Sequence, residues 1–265
     1  MSRRKRTWEA VSFEAVMTVV ALIALAIIIA PSLVVLIVSF TSGYSLKFPP
    51  PGYSLWNAWQ LHFAARNSFI VAMWSTGLSI VLGVAAALAI ARSPTLSTRV
   101  LDSLFMSPLV LPALAFALSA LMLFSLIGLP VSPLTLVIGH TVVCVPYVVR
   151  NTVAALAQLE PTLLESSAVL GASRSYTFRR IVLPLIRPGV IAGAFIAFMS
   201  SFDNVPVSLF LRDAATDMLP IRMWQDLEGK LDVTIAALSG VLIVATVALM
   251  AIMERVTGLS KRLTS

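Results

Sequence analysis

The sequence predicts an all-α membrane protein that crosses a bilayer six times and carries a helical hairpin in the cytoplasm. Three observations predict it. Of 265 residues, 58% are hydrophobic and only 12% charged, which is too apolar for a water-soluble domain of that length. The apolar residues gather into runs long enough to span a hydrocarbon core, which takes about 20 helical residues. Between two of these runs lies a polar, basic island over 163–184, LLESSAVLGASRSYTFRRIVLP, which has to sit in water.

Residues 1–6 read MSRRKR, and an apolar run follows over 16–40. The serine and paired arginines echo a twin-arginine export signal, but the apolar core of a signal is only about 7 to 15 residues long, and no small-residue cleavage site follows. The expectation is an uncleaved first span with its basic start in the cytoplasm and a kink at Pro31. Residues 41–62 then read as an external loop. Pro49, Pro50 and Pro51 enforce extended backbone, and Tyr53, Trp56 and Trp59 suit the membrane–water boundary.

A second span, 67–91, carries Gly77, Ser79, Gly83 and several alanines, small residues that let neighbouring helices approach. After a short inner turn with Arg92 and Arg99, a third span covers 104–127. Its Pro108 and Pro112 free backbone carbonyls at membrane depth, which protein or a water-filled cavity must satisfy. The chain turns outside over 128–133. The fourth span, 134–153, holds His140, Cys144, Pro146 and Tyr147, and Arg150 leads from it towards the island. The fifth runs over 188–211, with Gly189 and Gly193 as a small-residue pair. Residues 212–232 form a second external loop, and 233–253 is the last span before a basic tail ending Lys261-Arg262.

Charge tests this arrangement, because cytoplasmic loops carry an excess of lysine and arginine. With both termini inside, 14 of the 19 basic residues fall on the cytoplasmic side; Lys47, Arg66, Arg212, Arg222 and Lys230 do not. The net charge of +7 is therefore the signature of a membrane protein and gives no reason to expect nucleic acid as a partner. The single cysteine, Cys144, excludes a disulfide framework and a cysteine metal cluster, and it reads as a small buried hydrophobe.

The island reads as helix, glycine turn, helix. Glu160-Pro161 opens the first helix, since proline at the first helical position forfeits no hydrogen bond. Gly171 stops it by taking left-handed backbone, and Ser173 caps a second short helix running to Ile181, with Arg174, Arg179 and Arg180 in its length. The spacing of Glu165, Gly171, Ile181, Leu183 and Pro184 resembles the cytoplasmic coupling loop of the permease subunits of bacterial ABC importers: Glu-Ala-Ala, three residues, Gly, nine residues, Ile, one residue, Leu-Pro. Ser166 and Ser167 stand where that pattern has alanines, small enough to keep the close approach but more polar.

The resemblance implies a fold and a set of partners. The fold is that of a type I ABC importer permease, with 1–62 as a basic start, first span and external loop, 63–257 as the permease core, and 258–265 as a cytoplasmic tail. The partners are a second permease, two ATPase subunits, an extracytoplasmic substrate-binding protein and the lipid of a bacterial inner membrane. ATP and Mg would be bound by the ATPases and no cofactor by this chain. Glu165 would anchor the hairpin, Gly171 would give the turn and close approach, and Ile181, Leu183 and Pro184 would fix the exit into the fifth span.

The residues agree that this chain is not itself an engine. It has no glycine-rich phosphate loop ending in Gly-Lys-Ser/Thr, no Gly-x-Ser-x-Gly elbow and no His-Glu-x-x-His helix, and His62 and His140 alone make a histidine metal site untenable. The role left is mechanical. Asp203 is the conspicuous ionisable residue within a span, and such a group faces a cavity or a partner because exposure to lipid costs it about 2.5 to 3.5 kcal/mol or more. Two readings stay open. Either Asp203, with Asn204, Ser200 and Ser201, lines a translocation path and attracts an ammonium, or it lies nearer the outer surface, paired with an arginine or capping a break before Pro206.

The stretch SFDNVPVSLFL, followed by Leu219-Pro220-Ile221-Arg222-Met223-Trp224, is similar to the spermidine/putrescine branch of these permeases, which carries an acidic residue at the Asp203 position. That resemblance implies a small cationic substrate. Relatives importing aminoethylphosphonate or other small amino compounds look alike and remain an alternative. Tyr147, Met223 and Trp224 would line a cation site by ring-face attraction, or serve as packing or interface anchors. Five acidic residues, Asp213, Asp217, Asp226, Glu228 and Asp232, make the loop 212–232 either a vestibule that gathers cations or a solvated contact for a binding protein. Two further classes remain as rivals. An ion-coupled secondary transporter would show internal symmetry or several buried acids, and a scaffold would need neither hairpin nor intramembrane carboxylate.

Overall fold

The computed structural model describes residues 8–41, 52, 62–91, 95–229 and 233–257. The basic start at 1–6, nearly all of the Pro- and Trp-rich loop with Lys47, the turn residue Arg92, Lys230, Asp232 and the Lys261-Arg262 tail lie outside the described residues. The helices in chain order are α1 (Trp8–Val38), α2 (His62–Ala91), α3 (Leu96–Val110), α4 (Ala113–Leu126), α5 (Pro133–Leu156), α6 (Pro161–Val169) and α7 (Arg174–Thr177). A π-helical turn (Phe178–Val182) joins α7 to α8 (Leu183–Phe202), and α9 (Val205–Leu211), α10 (Leu219–Gly229) and α11 (Val233–Thr257) follow. All the regular elements among the described residues are helical.

The chain forms two compact units. The first comprises Met1–Gln60 and Asp226–Val247. Its α1 is apolar on every side and shows most of its length to the surroundings, as befits a helix whose solvent is lipid or another chain. The helix runs on through Pro31. At its end Ser39 is buried, its hydroxyl donating to the Leu36 carbonyl at 2.7 Å, and Gly240 lies so close to Ser39 that a side chain there would collide with it.

The second unit comprises Leu61–Gln225 and Ala248–Ser265. Its centre is α5. Hydroxyls on α2 reach carbonyls on α5 from Ser75 to Val137 and from Ser79 to Thr141, at 3.3 and 3.4 Å, and Gly83 faces Val148 and the Val145 carbonyl. The constant offset means that α2 and α5 run parallel. On another side α8 runs antiparallel to α5: His140 meets Ser201, Cys144 donates to the Ala197 carbonyl at 3.2 Å, Gly193 faces Tyr147, and Gly189 faces Asn151 and Ala155. The small-residue expectation holds at Gly83, Gly189 and Gly193, where an added Cβ would stand 2.6 to 2.9 Å from a neighbour, and fails at Gly77, which has open space.

Two parallel helices joined in sequence require a return crossing between them. That crossing is where the expected third span departs from the structure. Instead of one helix over 104–127, α3 and α4 meet at a bend of 107°. Pro112 has no N–H and pushes Leu111 into extended backbone (φ −71°, ψ 140°), so the helix stops there, whereas Pro108 is carried inside α3. Neither half spans alone: 15 and 14 residues reach about 22 and 21 Å, against a hydrocarbon core of about 30 Å. Four described helices are long and apolar enough to cross a membrane, five if the bent pair counts as one span, and α11 with 25 residues has the length of a sixth.

The fifth span also differs from expectation. It ends at Phe202, and 205–211 is a separate helix, α9, packed with α4, α2 and the start of α5 around Val71, Ala117, Leu136, Val207 and Leu211. The second external loop holds the short helix α10, where the sequence pattern predicts only loop. Its approach is fixed to α2: the Leu219 amide donates to Ser68 Oγ at 2.9 Å, Asn67 Nδ2 donates to the Asp217 carbonyl at 3.0 Å, and Met218, Leu219 and Ile221 are buried.

Candidate functional site

The polar island folds as a hairpin beyond the ends of α5 and α8. Proline at the first position of α6 needs no acceptor for its missing N–H. The helix closes through a Schellman pair, the Gly171 amide donating to the Ala168 carbonyl at 3.0 Å and the Ala172 amide to the Ser167 carbonyl at 3.1 Å. That closure needs positive φ, and Gly171 has φ 74°. Ser173 then caps α7, accepting from the Tyr176 amide at 3.3 Å. The turn is as the sequence predicts. A Cβ added at Gly171 would meet nothing within 4 Å among the described residues, and the close approach expected of it is one to a partner.

The second arm is no separate helix either. From Arg174 to Phe202 the chain runs without a turn, because the π-helical stretch joins α7 to α8 directly. Pro184 explains the π geometry. It offers no N–H to the Arg180 carbonyl, so the bonding slips by one and the Leu183 amide reaches back to the Phe178 carbonyl.

Ser167, expected only to be small, is the buried residue of α6, and its hydroxyl meets Thr177 Oγ1 at 2.5 Å, tying the two arms together. Glu165 and Ser166 are exposed, and Glu165 has no hydrogen bond or ion pair among the described residues. Ile181 is half-buried and Leu183 and Pro184 are exposed. At the tip, Val169 and Leu170 are 87% and 85% exposed, with Tyr176 and the three arginines of the second arm also exposed. Beneath the hairpin, a cavity of about 690 Å³ lies between α6, α7 and the ends of α2 and α5, lined by Leu88, Leu156, Leu164, Phe178 and Arg174 among others.

The residues proposed for a pathway stand on three different parts of the chain: Tyr147 on α5, Asp203 and Asn204 at the end of α8, and Trp224 on α10. Asp203 is exposed and is the C-cap of α8; no ion pair to it forms among the described residues. Of the open readings, the break before Pro206 is present, but Asn204 caps it, its Oδ1 accepting from the Val207 amide at 2.9 Å. Ser201 is buried and taken up by His140. Tyr147 packs with Cys144, Val148 and Ala197 and faces the Gly193 level of α8, ten residues before Asp203, about 15 Å at the helical rise. Trp224 stands 51% exposed on α10 and Met223 is half-buried. In the outer loop, Asp213 is committed to a turn: its Oδ1 accepts from the Ala215 and Thr216 amides at 3.1 and 2.7 Å, and bonding to Thr216 holds its carboxyl below the usual range.

What sequence reasoning missed is polar and buried. His140 is fully buried between Ser201 and Ser208, 61 and 68 residues away. Across the other end of the unit Arg150 bonds Asp102 at 3.4 Å and donates from Nε to Met106 Sδ at 2.9 Å, joining α5 to α3.

Residues 79–262 match the family described as the binding-protein-dependent transport system inner membrane component. The chain belongs to this family. Among its relatives is the spermidine/putrescine transport system permease protein PotC of Escherichia coli K12, 28% identical over 223 residues, 81% of this chain and 83% of that one. PotC of Haemophilus influenzae is 28% identical over 194 residues, 73% and 76% of the two chains, and the E. coli K12 putrescine permease PotI is 28% identical over 240 residues, 83% of each. The fold is that of solved ABC importer permeases. A bacterial importer of the acidic polysaccharide alginate superposes with TM-score 0.70 at 13% identity over 97% of this chain and 99% of that one, and the MetNI methionine transporter with 0.62 at 16% over 76% and 96%. As an inner membrane component with several apolar helices long enough to cross, the protein is a multi-pass membrane permease.

Proposed function

We propose that this chain is one of two permease subunits of an ATP-driven importer of small polyamines, spermidine or putrescine, with its hairpin seated on one of two ATPase subunits. The observation that carries this reading is the hairpin. A glycine-closed turn, pinned by Ser167 and Thr177, presents Val169 and Leu170 almost wholly bare at the tip of an arm that continues unbroken into a membrane span. Bare aliphatic side chains at the tip of a hydrogen-bonded turn are what a partner's groove recognises. The partner ATPases hold ATP and Mg and perform the hydrolysis, this chain converts their closure into movement of its spans, and an extracytoplasmic binding protein delivers the substrate. Both termini lie in the cytoplasm, a placement that the distribution of basic residues supports.

The polyamine assignment is supported by the names of the relatives and by Asp203, an exposed carboxylate at the break of the fifth span, where it meets a substrate ammonium. Purification through a tag on this chain tests the assembly: an ATPase should co-purify, and Val169→Asp with Leu170→Asp should release it. Radiolabelled spermidine uptake tests the substrate. Asp203→Asn removes a charge-assisted hydrogen bond of about 1.5 to 3 kcal/mol, so KM should rise about 10- to 100-fold. An unaltered KM would take the carboxylate off the path, and uptake of uncharged solutes only would refute the polyamine reading.

A further inference from the structure

The fifth crossing breaks between Phe202 and Val205, and one imidazole from another helix reaches both sides of the break. Ser201 stands on the last turn of α8 and Ser208 on the first turn of α9. His140 Nδ1 lies 2.9 Å from Ser201 Oγ, and its Nε2 lies 3.2 Å from Ser208 Oγ. All three side chains are buried, at 0 to 1% exposure. A neutral imidazole has one N–H and one bare nitrogen, so it donates to one serine and accepts from the other, and both of its polar atoms are used. Next to it, Gly139 has no side chain; an added Cβ would stand 3.1 Å from Val207 Cγ1 and would collide with Leu211, so α9 lies directly on α5 at this level.

Between these two bonds lie Asp203 and Asn204. Asn204 is spent on capping α9, and no hydrogen bond or ion pair among the described residues holds the Asp203 side chain. What sets the direction of this short link is therefore the pair of helices it joins; α9 is packed on α4, α2 and α5, and the one ring bonded to both helices ties them across the break. A satisfied polar trio in an apolar interior specifies one arrangement, since any other leaves buried hydroxyls unpaired.

We propose that His140 is a positioning residue for substrate: by bonding Ser201 and Ser208 at once it fixes the break between α8 and α9 and holds Asp203 where it meets the amine. The proposal rests on the pathway reading of Asp203, and its test separates the two. With the full complex in membranes, spin labels on Ile196→Cys and Leu209→Cys, both exposed positions on either side of the break, report its geometry without reference to transport; the native Cys144 is fully buried. A single narrow distance distribution is expected for the parent, a broadened or shifted one for His140→Leu, and a return towards the parent for His140→Gln, whose amide both donates and accepts. An unchanged distribution in His140→Leu overturns the proposal whatever Asp203 does.

The second arm is a double-mutant cycle of His140→Leu and Asp203→Asn on spermidine uptake. Losing two hydrogen bonds should raise KM about tenfold with little change in kcat, and in the Asp203→Asn background His140→Leu should add less than about twofold. Independent, multiplying effects on KM, or a fall confined to kcat or to the amount of complex, overturn it as a merely structural contact. Should Asp203→Asn alone leave KM unchanged, the pathway reading falls and the distance measurement still decides whether His140 fixes the break. Ser208→Ala, which removes one bond and no bulk, gives the same readings if His140→Leu does not assemble.

Discussion

Substitution at Gly171 separates two accounts of why glycine is required in the hairpin. In the first, the backbone demands it; in the second, a partner surface comes too close for a side chain. The structure makes the first account quantitative. Gly171 has φ 74° and open space around its missing Cβ, so a Cβ there meets no described neighbour and its cost within the hairpin is the strain of left-handed backbone. That strain is about 1 to 2 kcal/mol for alanine, less for asparagine, which visits this region by bonding its own backbone, and more for a β-branched residue. One to two kcal/mol lowers the ratio of closed to frayed hairpin about 5- to 30-fold. The assay is ATP hydrolysis by the reconstituted complex with and without loaded binding protein. Stimulation should fall in the order Asn, Ala, Val, with valine worst, while the amount of chain in the membrane stays constant. If backbone is not the reason, the ranking follows size and asparagine does more harm than alanine. That order, or a silent Gly171→Val, refutes the reasoning.

Two further substitutions probe the packing that carries motion away from the hairpin. Ser167→Ala removes the hydroxyl that meets Thr177 and should cost about 1 kcal/mol, lowering stimulated hydrolysis several-fold; Ser167→Ala with Thr177→Val should be no worse than either alone, measured in the same assay. Gly193→Leu puts a side chain where a Cβ would already stand 2.9 Å from Val148 Cα and 3.1 Å from the Tyr147 carbonyl, so α8 must move off α5; a loss of about 1 to 3 kcal/mol should show as a lower melting temperature of the purified complex, with Gly77→Leu, in open space, as the silent control.

The hairpin was legible because its determinants are local. Pro161, Gly171 and Ser173 each act on backbone within a few residues, and each does in the structure what its chemistry dictates. The spans around 16–40, 67–91 and 134–153 were legible for the related reason that apolar length alone defines them. The prolines were not. Pro108, Pro146 and Pro188 sit inside helices that continue through them, while Pro112 ends one at a 107° bend, and nothing near these residues in sequence tells them apart. Which proline breaks a helix depends on whether neighbours reward the break, here the packing of α4 on α9. The end of the fifth span did carry a local sign, Asn204 followed by Pro206 at the second helical position, a start signal hidden inside an apolar run. His140 carried none. A lone histidine in a hydrophobic stretch says nothing of serines more than sixty residues away, so the polar trio exists only once α5, α8 and α9 have packed.

The two ends of the hairpin differ mechanically, and the difference assigns a task to Pro184. Towards α5 the hairpin is joined by a non-helical link over 157–160; towards α8 it is joined by the π turn, with no break for 29 residues, about 43 Å of helix. On the proposed reading, a push on the tip reaches the break at Asp203 through α8. The π turn accommodates one extra residue, so the arm carrying Arg174 and Tyr176 is rotated by about 100° from where an ordinary helix would present it. Pro184→Ala restores the amide that an α-helical bond to the Arg180 carbonyl needs. The helix should become more regular and no less stable, yet the hairpin should face its partner wrongly, and stimulated hydrolysis should fall while the melting temperature holds or rises. Deleting Ile181 in the Pro184→Ala background, which takes out the extra residue, should return the arm towards its original face and recover part of the activity. A Pro184→Ala complex as active as the parent would show that the rotation has no mechanical role.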